Sequence, residues 1–303
     1  MASRRGLGRR EVLVSAATTL AGLGVLGTGL ARRWADGSAA TPVPGPTATP
    51  ARPSPTPDHQ AIARARVERY LKGVGGRVGL AVRDRVTGLE LTVGARRFQT
   101  ASIVKVDILA TLLLRRQAQG RALSQAERQL ARSMIVVSDN DAASSLWRTI
   151  GYRAGLSAAN RTFGLRETTP NSSWGMTTTT AADQLRLLAS IIGPTGPLDG
   201  DGRDLLLGLM RQVHRDQRWG ITAAAGAEST ASYVKNGWTT IDADQGRWLV
   251  NSVGRITEPG RDWLIAVLSD RHASQSAGIK LVERVARYAL TELRAVPPAA
   301  ADS

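Results

Sequence analysis

The chain has 303 residues, no cysteine and a formal net charge of +15. This composition excludes disulfides, thiolate metal ligands and a cysteine nucleophile, while a hydrophobic share of 42% allows a sizeable core. The basic charge suits an anionic cell-envelope surface, and the absence of a basic-aromatic module argues against nucleic acid. Only four of the 40 cationic residues are lysine, namely Lys72, Lys105, Lys235 and Lys280. Since lysine can lose its proton when desolvated and arginine cannot, these positions are candidates for chemistry.

Residues 1–40 are typical of an export signal. Four arginines lie within residues 4–10, an apolar stretch follows over 12–30, and small residues at 38–40 suit cleavage. The run at 9–13 resembles a twin-arginine signal. An uncleaved membrane anchor is the alternative, although the apolar stretch is rich in glycine and barely long enough to span a bilayer.

Three further segments follow the leader. Residues 41–58 contain seven of the thirteen prolines, so they predict an extended linker that holds the next segment away from a surface. Residues 59–295 predict one folded domain, and residues 296–303 predict a disordered tail. The domain is expected to be a monomer outside the cytoplasm.

The predicted elements of the domain follow a simple order. The pattern predicts a helix over 59–72 with Ile62, Ala65, Tyr70 and Leu71 as inner positions, and then two strands. A long helical middle follows, and three strands and a last helix close the domain. The predicted strands are 77–85, 89–95, 231–238, 247–255 and 262–269, and the later helices are 102–119, 124–137, 141–150, 155–163, 178–193, 202–213 and 275–294. Strands at both ends imply an α/β fold of the α+β sandwich type, in which an antiparallel sheet is flanked by helices and an all-helical region is inserted.

The first chemical motif is Ser102-Ile103-Val104-Lys105 at the start of the apolar helix. Residues three apart share a helix face, so the two polar side chains can meet. A serine hydroxyl needs an adjacent base to become a nucleophile, and a desolvated lysine near another cation can serve as that base.

Two more motifs follow in order along the chain. Ser138-Asp139-Asn140 lies in a turn between helices, where a hydroxyl can relay a proton and an amide can hold a substrate. Lys235-Asn236-Gly237 ends a predicted strand, where the lysine can bind a carboxylate and the glycine allows close approach of a backbone. Each motif alone is weak, but their order and the use of two of four lysines are specific.

These motifs and the predicted layout resemble the penicillin-recognising serine enzymes, most closely the class A β-lactamases. The resemblance covers roughly residues 60–293. It implies Ser102 as acylated nucleophile, Lys105 as base, Ser138 as proton relay, Asn140 as substrate contact and Lys235 as carboxylate anchor. It further implies an oxyanion hole formed by the backbone amides of Ser102 and Trp238, and no cofactor or metal.

The chain also departs from the family pattern. Asn236 stands where the family has threonine or serine, so an amide is expected to replace a hydroxyl contact, and Trp238 is bulky beside the oxyanion hole. The loop over 164–177 is shorter than the loop that carries the deacylating glutamate in class A enzymes. Glu167 and Asn171 have a matching spacing within it, so Glu167 is a candidate base, with a solvated loop carboxylate as the alternative.

Other candidate sites are weaker. His59, His214 and His272 are isolated, and the acidic runs at 199–204 and 242–244 are explained by turns. The expected substrate is a β-lactam or a peptidoglycan-type amide or ester. A D-alanyl-D-alanine-type cell-wall peptidase and a non-catalytic, β-lactam-sensing or envelope-binding domain are the alternatives.

Overall fold

The computed structural model of the protein describes residues 58–297. The predicted leader at 1–40, linker residues 41–57 and tail residues 298–303 lie outside the described residues. In the described part of the chain, no helix combines the length and apolar character needed to cross a membrane.

A five-stranded antiparallel sheet forms the centre of the described residues, with the strand order β2-β1-β7-β6-β5. Its strands are β1 Arg77–Asp84, β2 Glu90–Val93, β5 Ala231–Ile241, β6 Arg247–Glu258 and β7 Arg261–His272. Two short strands, β3 Phe98–Gln99 and β4 Thr178–Thr179, pair separately. The fold class predicted from the sequence is confirmed, because segments from both ends of the domain build one antiparallel sheet.

The helices are α1 His59–Gly73, α2 Val104–Ala118, α3 Gln125–Val136, α4 Asn140–Thr149, α5 Tyr152–Thr162, α6 Ala181–Ile192, α7 Gly200–Arg211 and α8 Gln275–Arg294. Alternation along β6 shows how the two faces of the sheet are used. The Val250 side chain meets Gly278 of α8 on one face. The next side chain, Asn251, donates from Nδ2 to the carbonyls of Gln99 (2.9 Å) and Thr100 (3.2 Å) on the other face, where the chain enters α2.

Helix α2 is buried along most of its length and connects the sheet to the helical region. It begins at Val104, after a 3-10 turn over Ala101–Ile103, and not at Ser102 as predicted. Helix α3 begins with the expected capping box, in which Ser124 and Glu127 bond each other's backbone amides. The start of α6 was predicted three residues too early, because Thr178 and Thr179 pair with β3 and Thr180 caps the helix.

Two further expectations are corrected by the packing. In α1 the buried positions are Ala63 and Val67, whereas Ile62 is 43% exposed and Ala65 is also exposed, because the helix packs on α8, where Tyr70 stacks on Tyr288. Val296, which the sequence assigned to the tail, is buried, and its carbonyl accepts a hydrogen bond from Arg261 (3.0 Å). The strands β5, β6 and β7 are each longer than predicted, and the last two are joined by a tight turn at Pro259 and Gly260.

Candidate active site

Ser102 lies in the 3-10 turn that precedes α2, against the edge strand β5. Gly237 permits this approach, since a Cβ atom on it would lie 2.7 Å from the amide nitrogen of Ser102 and 2.8 Å from that of Ile103. No real side chain tolerates such contacts with backbone. The glycine singled out from the sequence therefore places the strand against the turn that carries the candidate nucleophile.

Two backbone conformations at the site are unusual. Ala101, directly before Ser102, has φ of 44°, and Ser138 has φ of 61°. Residues with a side chain avoid this left-handed region, at a cost of about 1–2 kcal/mol each. At Ser138 the conformation is held by neighbours, because Asp139 caps α4 through the amides of Asp141 (2.8 Å) and Ala142 (3.0 Å).

The Lys105 ammonium is fully buried and makes three hydrogen bonds. Its Nζ donates to the Ser138 carbonyl (2.6 Å), the Ser138 hydroxyl (3.1 Å) and Oδ1 of Asn140 (2.8 Å). Burial disfavours the charged form and lowers the pKa of Lys105 to about 8, against the opposing attraction of Asp139. A lysine with this pKa has an accessible neutral form near neutral pH.

The Ser138 hydroxyl joins both buried lysines. Lys235 Nζ donates to it at 3.0 Å and to the Asn236 carbonyl at 3.0 Å, while Lys105 Nζ approaches from the other side. Burial, and then repulsion from Lys105, holds the pKa of Lys235 well below its usual value. The three motifs that are distant in sequence thus meet at one hydroxyl group.

Ser102 and Lys105 lie one turn apart, but no hydrogen bond joins their side chains among the described residues. All three protons of the Lys105 ammonium are used by Ser138 and Asn140. This arrangement fits the charged amine. Accepting a proton from Ser102 requires the neutral amine to turn its lone pair toward that hydroxyl.

Trp174 covers the lysine from the loop before β4. Lys105 Nζ lies 5.0 Å from the centre of its ring, and Trp174 Nε1 donates to Ser144 Oγ of α4 (3.2 Å). The sequence contains no local signal for this contact with the lysine. That contact depends on how the loop folds over α4.

A cleft of about 500 Å³ opens beside Ser102. Its wall includes Asn140 and Trp238, as predicted from the sequence, and extends along the end of β5. The lining residues are Gln99, Ala101, Ser102, Asn140, Ser173, Trp174, Gly175, Met176, Trp238, Thr239, Thr240, Ile241, Asp242 and Ala243. The edge of the Trp219 ring packs on Trp238, with the ring centres 5.7 Å apart.

Asn236 does not contribute its side chain to this cleft, contrary to the expectation of a substrate contact. It is fully buried, and its Nδ2 donates to the carbonyls of Gln217 (2.7 Å) and Trp219 (3.0 Å). The physical reason is the alternation of the strand, since Lys235 and Gly237 face Ser138 and Ser102 while Asn236 faces the loop beyond. Asn236 thus holds the loop that presents Trp219 to Trp238.

Glu167 makes its contact elsewhere. Its carboxylate accepts a hydrogen bond from the Thr180 hydroxyl (3.0 Å), and among the described residues no hydrogen bond joins it to Ser102, Lys105 or Ser138. The Asn171 side chain also serves the loop itself, because its Oδ1 accepts from the amide of Ser173 (3.0 Å). The Glu-x-x-x-Asn spacing is accounted for by these local contacts.

The weaker candidates lie apart. Asp199 caps α7, Asp244 pairs with Arg247 at 2.7 Å, and His272 is buried against the Ser269 hydroxyl (2.9 Å). Within residues 58–297, no group of three or more His, Cys, Asp or Glu side chains lies close enough to hold a metal ion.

The sequence profile of the β-lactamase enzyme family matches residues 114–293. This segment contains Ser138, Asn140 and Lys235 but begins after Ser102 and Lys105. Among curated proteins, "Putative lipoprotein LppW" of Mycobacterium tuberculosis is 28% identical over 224 residues, which cover 71% of this chain and 69% of that protein. The protein of the same name in Mycobacterium bovis matches equally.

Solved structures share the fold. The TLA-1 extended-spectrum β-lactamase aligns with a TM-score of 0.70 and 17% identity, over 78% of this chain and 99% of its own. A PBP-A mutant, solved as an acyl-enzyme complex with penicillin G, aligns with a TM-score of 0.67 and 22% identity, over 78% and 97%. A class A β-lactamase from Mycobacterium abscessus aligns with a TM-score of 0.63 and 23% identity, over 77% of this chain and 100% of its own.

Proposed function

The chain belongs to the β-lactamase enzyme family, and from this premise we propose that it is an active-site serine hydrolase that is acylated at Ser102. The substrates are β-lactams or related amides and esters. The observation that carries the proposal is the Ser138 hydroxyl, which bridges the buried amines of Lys105 (3.1 Å) and Lys235 (3.0 Å) beside the turn of Ser102.

In the proposed acylation step, neutral Lys105 takes the proton of the Ser102 hydroxyl as its Oγ attacks the substrate carbonyl. The Ser138 hydroxyl then passes a proton to the leaving nitrogen or oxygen and is reprotonated from Lys105. Lys235 supplies positive charge next to Ser138, where an acidic substrate group can be held. This sequence needs no external proton source, because the proton removed from Ser102 ends on the leaving group.

The position of the Ser102 amide beside Gly237 supports an oxyanion hole shared with the Trp238 amide. Amides fixed in the backbone need no reorganisation when the carbonyl oxygen becomes negative. A single donor of this kind typically contributes about 10²–10³ in rate.

The proposal is tested by intact-mass spectrometry after exposure to penicillin, together with the hydrolysis of a chromogenic cephalosporin. The parent chain is expected to gain one penicillin mass, whereas Ser102→Ala gains none because it lacks the hydroxyl that forms the acyl-enzyme bond. A folded parent that gains no mass and shows no turnover contradicts the proposal. So does Ser102→Ala labelled at the parental rate.

One observation favours a second candidate, a penicillin-labelled cell-wall peptidase that deacylates slowly. The Glu167 carboxylate is bonded to Thr180, and the only acid that lines the cleft within the described residues is Asp242, at its far end. Because Glu167 is bonded to Thr180, Glu167→Gln is expected to change the decay rate of the penicillin adduct by less than about threefold. The loss of a general base would instead lower that rate by about 10²–10⁴. A fall of a hundredfold or more would restore Glu167 as the base. Product analysis on a stem peptide separates peptidase from β-lactamase.

We also propose that the protein acts outside the cytoplasm. The twin-arginine run at 9–13 supports export, and a relative's name describes a lipoprotein. This sequence has no cysteine, so a lipid joined to cysteine cannot hold it at the membrane. Fractionation of cells that express the full chain, compared with a variant in which Arg9 and Arg10 are lysine, tests the route.

A further inference from the structure

The Lys105 ammonium is buried without a carboxylate bound to it. Its Nζ donates to neutral oxygens of Ser138 and Asn140, and it forms no salt bridge within residues 58–297. Asp139, which lies between these two residues in the sequence, uses its carboxylate to cap α4. A buried charge that lacks a paired opposite charge needs another source of stabilisation.

The charged groups around Lys105 do not supply this stabilisation. Lys235, from β5, brings a second amine to the same Ser138 hydroxyl, and two positive charges there repel each other. Asp139 attracts the charge on Lys105 without bonding to it. Asp107, on the same helix, faces the interior, and burial raises its pKa to about 8. Burial and repulsion together outweigh the attraction of Asp139, and they disfavour the ammonium form.

The ring of Trp174 opposes this tendency. Lys105 Nζ lies over the ring, 5.0 Å from its centre. The face of an aromatic ring attracts a cation within about 6 Å, and tryptophan does so more strongly than tyrosine or phenylalanine. A neutral amine at the same place gains no comparable attraction, so the ring favours the charged form of the lysine.

Hydrogen bonds on two sides hold the ring over the lysine. The indole Nε1 donates to Ser144 Oγ of α4 (3.2 Å). The Trp174 carbonyl accepts from the amide of Thr177 (3.1 Å). The Thr177 carbonyl in turn accepts from the amide of Thr100 (2.8 Å), two residues before Ser102. The tryptophan is thus attached both to α4 and to the segment that carries the candidate nucleophile.

We propose that Trp174 is a positioning residue that stabilises the ammonium form of Lys105 and thereby limits the amount of neutral amine near neutral pH. Its ring acts through the lysine and takes no part in the bond changes. Removing the ring makes the lysine easier to deprotonate and moves its titration to lower pH. The inference rests on the proposed function only for its effect on acylation, because the charge of Lys105 can be measured without a substrate.

The titration of Lys105 can be followed by nuclear magnetic resonance of the full-length chain labelled with ¹³C at lysine Cε. The chain has four lysines, and Lys105→Met identifies the signal of this one. The parent is expected to titrate at about pH 8. Trp174→Leu and Trp174→Met keep an apolar cover without a ring, and both are expected to titrate lower by roughly 0.5–1 pH unit. Trp174→Phe keeps a ring and should shift by less.

The matched control is Trp219→Leu. Trp219 is a partly buried tryptophan close to the cleft, but its ring packs on Trp238 and not on the lysine. This variant is expected to leave the titration of Lys105 in place. An unchanged or higher midpoint in Trp174→Leu and Trp174→Met overturns the inference, and a higher one would show that the ring acts by excluding water. An equal shift in Trp219→Leu or in Trp174→Phe also overturns it.

The same shift should appear in the pH profile of acylation by penicillin. Trp174 lines the cleft, so its removal can also weaken a contact with the substrate. Such a loss lowers kcat/KM at every pH without moving the midpoint, because the profile of kcat/KM reports ionisation in the free enzyme. A midpoint that stays at the parental pH in Trp174→Leu contradicts the inference. If penicillin acylates the parent at no pH, the proposed function fails, while the lysine titration still decides the inference.

Discussion

Helix α2 carries two buried titratable side chains that behave in opposite ways. Lys105 and Asp107 are 0% and 1% exposed. Burial lowers the pKa of Lys105 from 10.5 to about 8 and raises the pKa of Asp107 from 3.8 to about 8. The cause is the same in both, since a low-dielectric surrounding favours the neutral form of any ionisable group.

The surroundings of Lys105 and Asp107 give their neutral forms different roles. Lys105 faces the Ser138 hydroxyl and Asn140, beside the cleft. Asp107 faces the interior, where the side-chain amide of Asn160 lies 3.0 Å from both carboxyl oxygens. The negative charge of Asp183 raises the pKa of Asp107 further. A neutral amine next to hydroxyls is a base, whereas a neutral carboxyl in the interior only avoids the cost of a buried charge.

Removal of the amine is expected to give the largest effect. Lys105→Met keeps the length of the side chain but has no base, so acylation by penicillin should slow by about 10²–10⁴. Intact-mass kinetics measure the rate, and the circular dichroism spectrum checks the fold. Lys280→Met, at an exposed position on α8, is the matched control and should react at the parental rate. A Lys105→Met chain labelled at the parental rate would remove Lys105 from the mechanism.

The pH dependence of acylation should show the pKa of the amine. Because only the neutral amine accepts a proton, kcat/KM is expected to rise by about tenfold from pH 6 to pH 7 and to level off above about 8. The profile of Asp107→Asn should keep this shape, since the carboxyl is outside the reaction. A profile that is flat between pH 6 and 8 would contradict a base with this pKa.

The Asp107 carboxyl should affect the free energy of unfolding and not the acylation rate. Between about pH 4 and pH 8 the folded protein keeps a proton on Asp107 that the unfolded chain has lost, so rising pH lowers the free energy of unfolding. Asp107→Asn has no such proton, so its stability relative to the parent should be greater at pH 8 than at pH 5 by roughly 4 kcal/mol, at about 1.4 kcal/mol for each pH unit. Urea denaturation at both values measures the difference. A constant difference would show that Asp107 does not titrate in this window.

The class of fold followed directly from the sequence. Alternating apolar strands at both ends of the domain, apolar helices between them, and turn residues such as Pro259-Gly260 are local signals, and they placed most elements within a few residues. The errors came from tertiary contacts. Thr178 and Thr179 leave the predicted helix because β3 offers them a partner, and α1 turns Val67 inward in place of Ile62 because α1 packs on α8.

In the candidate site, too, some features could be predicted from the sequence and others depended on tertiary contacts. Residue chemistry alone selected Ser102, Lys105, Ser138, Lys235 and Gly237, because few residue types can act as nucleophile, base, relay, anchor and close backbone contact. The directions of Asn236 and Glu167 depended on the partners that folding brought to them, namely the Gln217 and Trp219 carbonyls and the Thr180 hydroxyl. Desolvation acts through the packed surroundings of a group. The pKa values of Lys105 and Asp107 therefore belong to the three-dimensional structure.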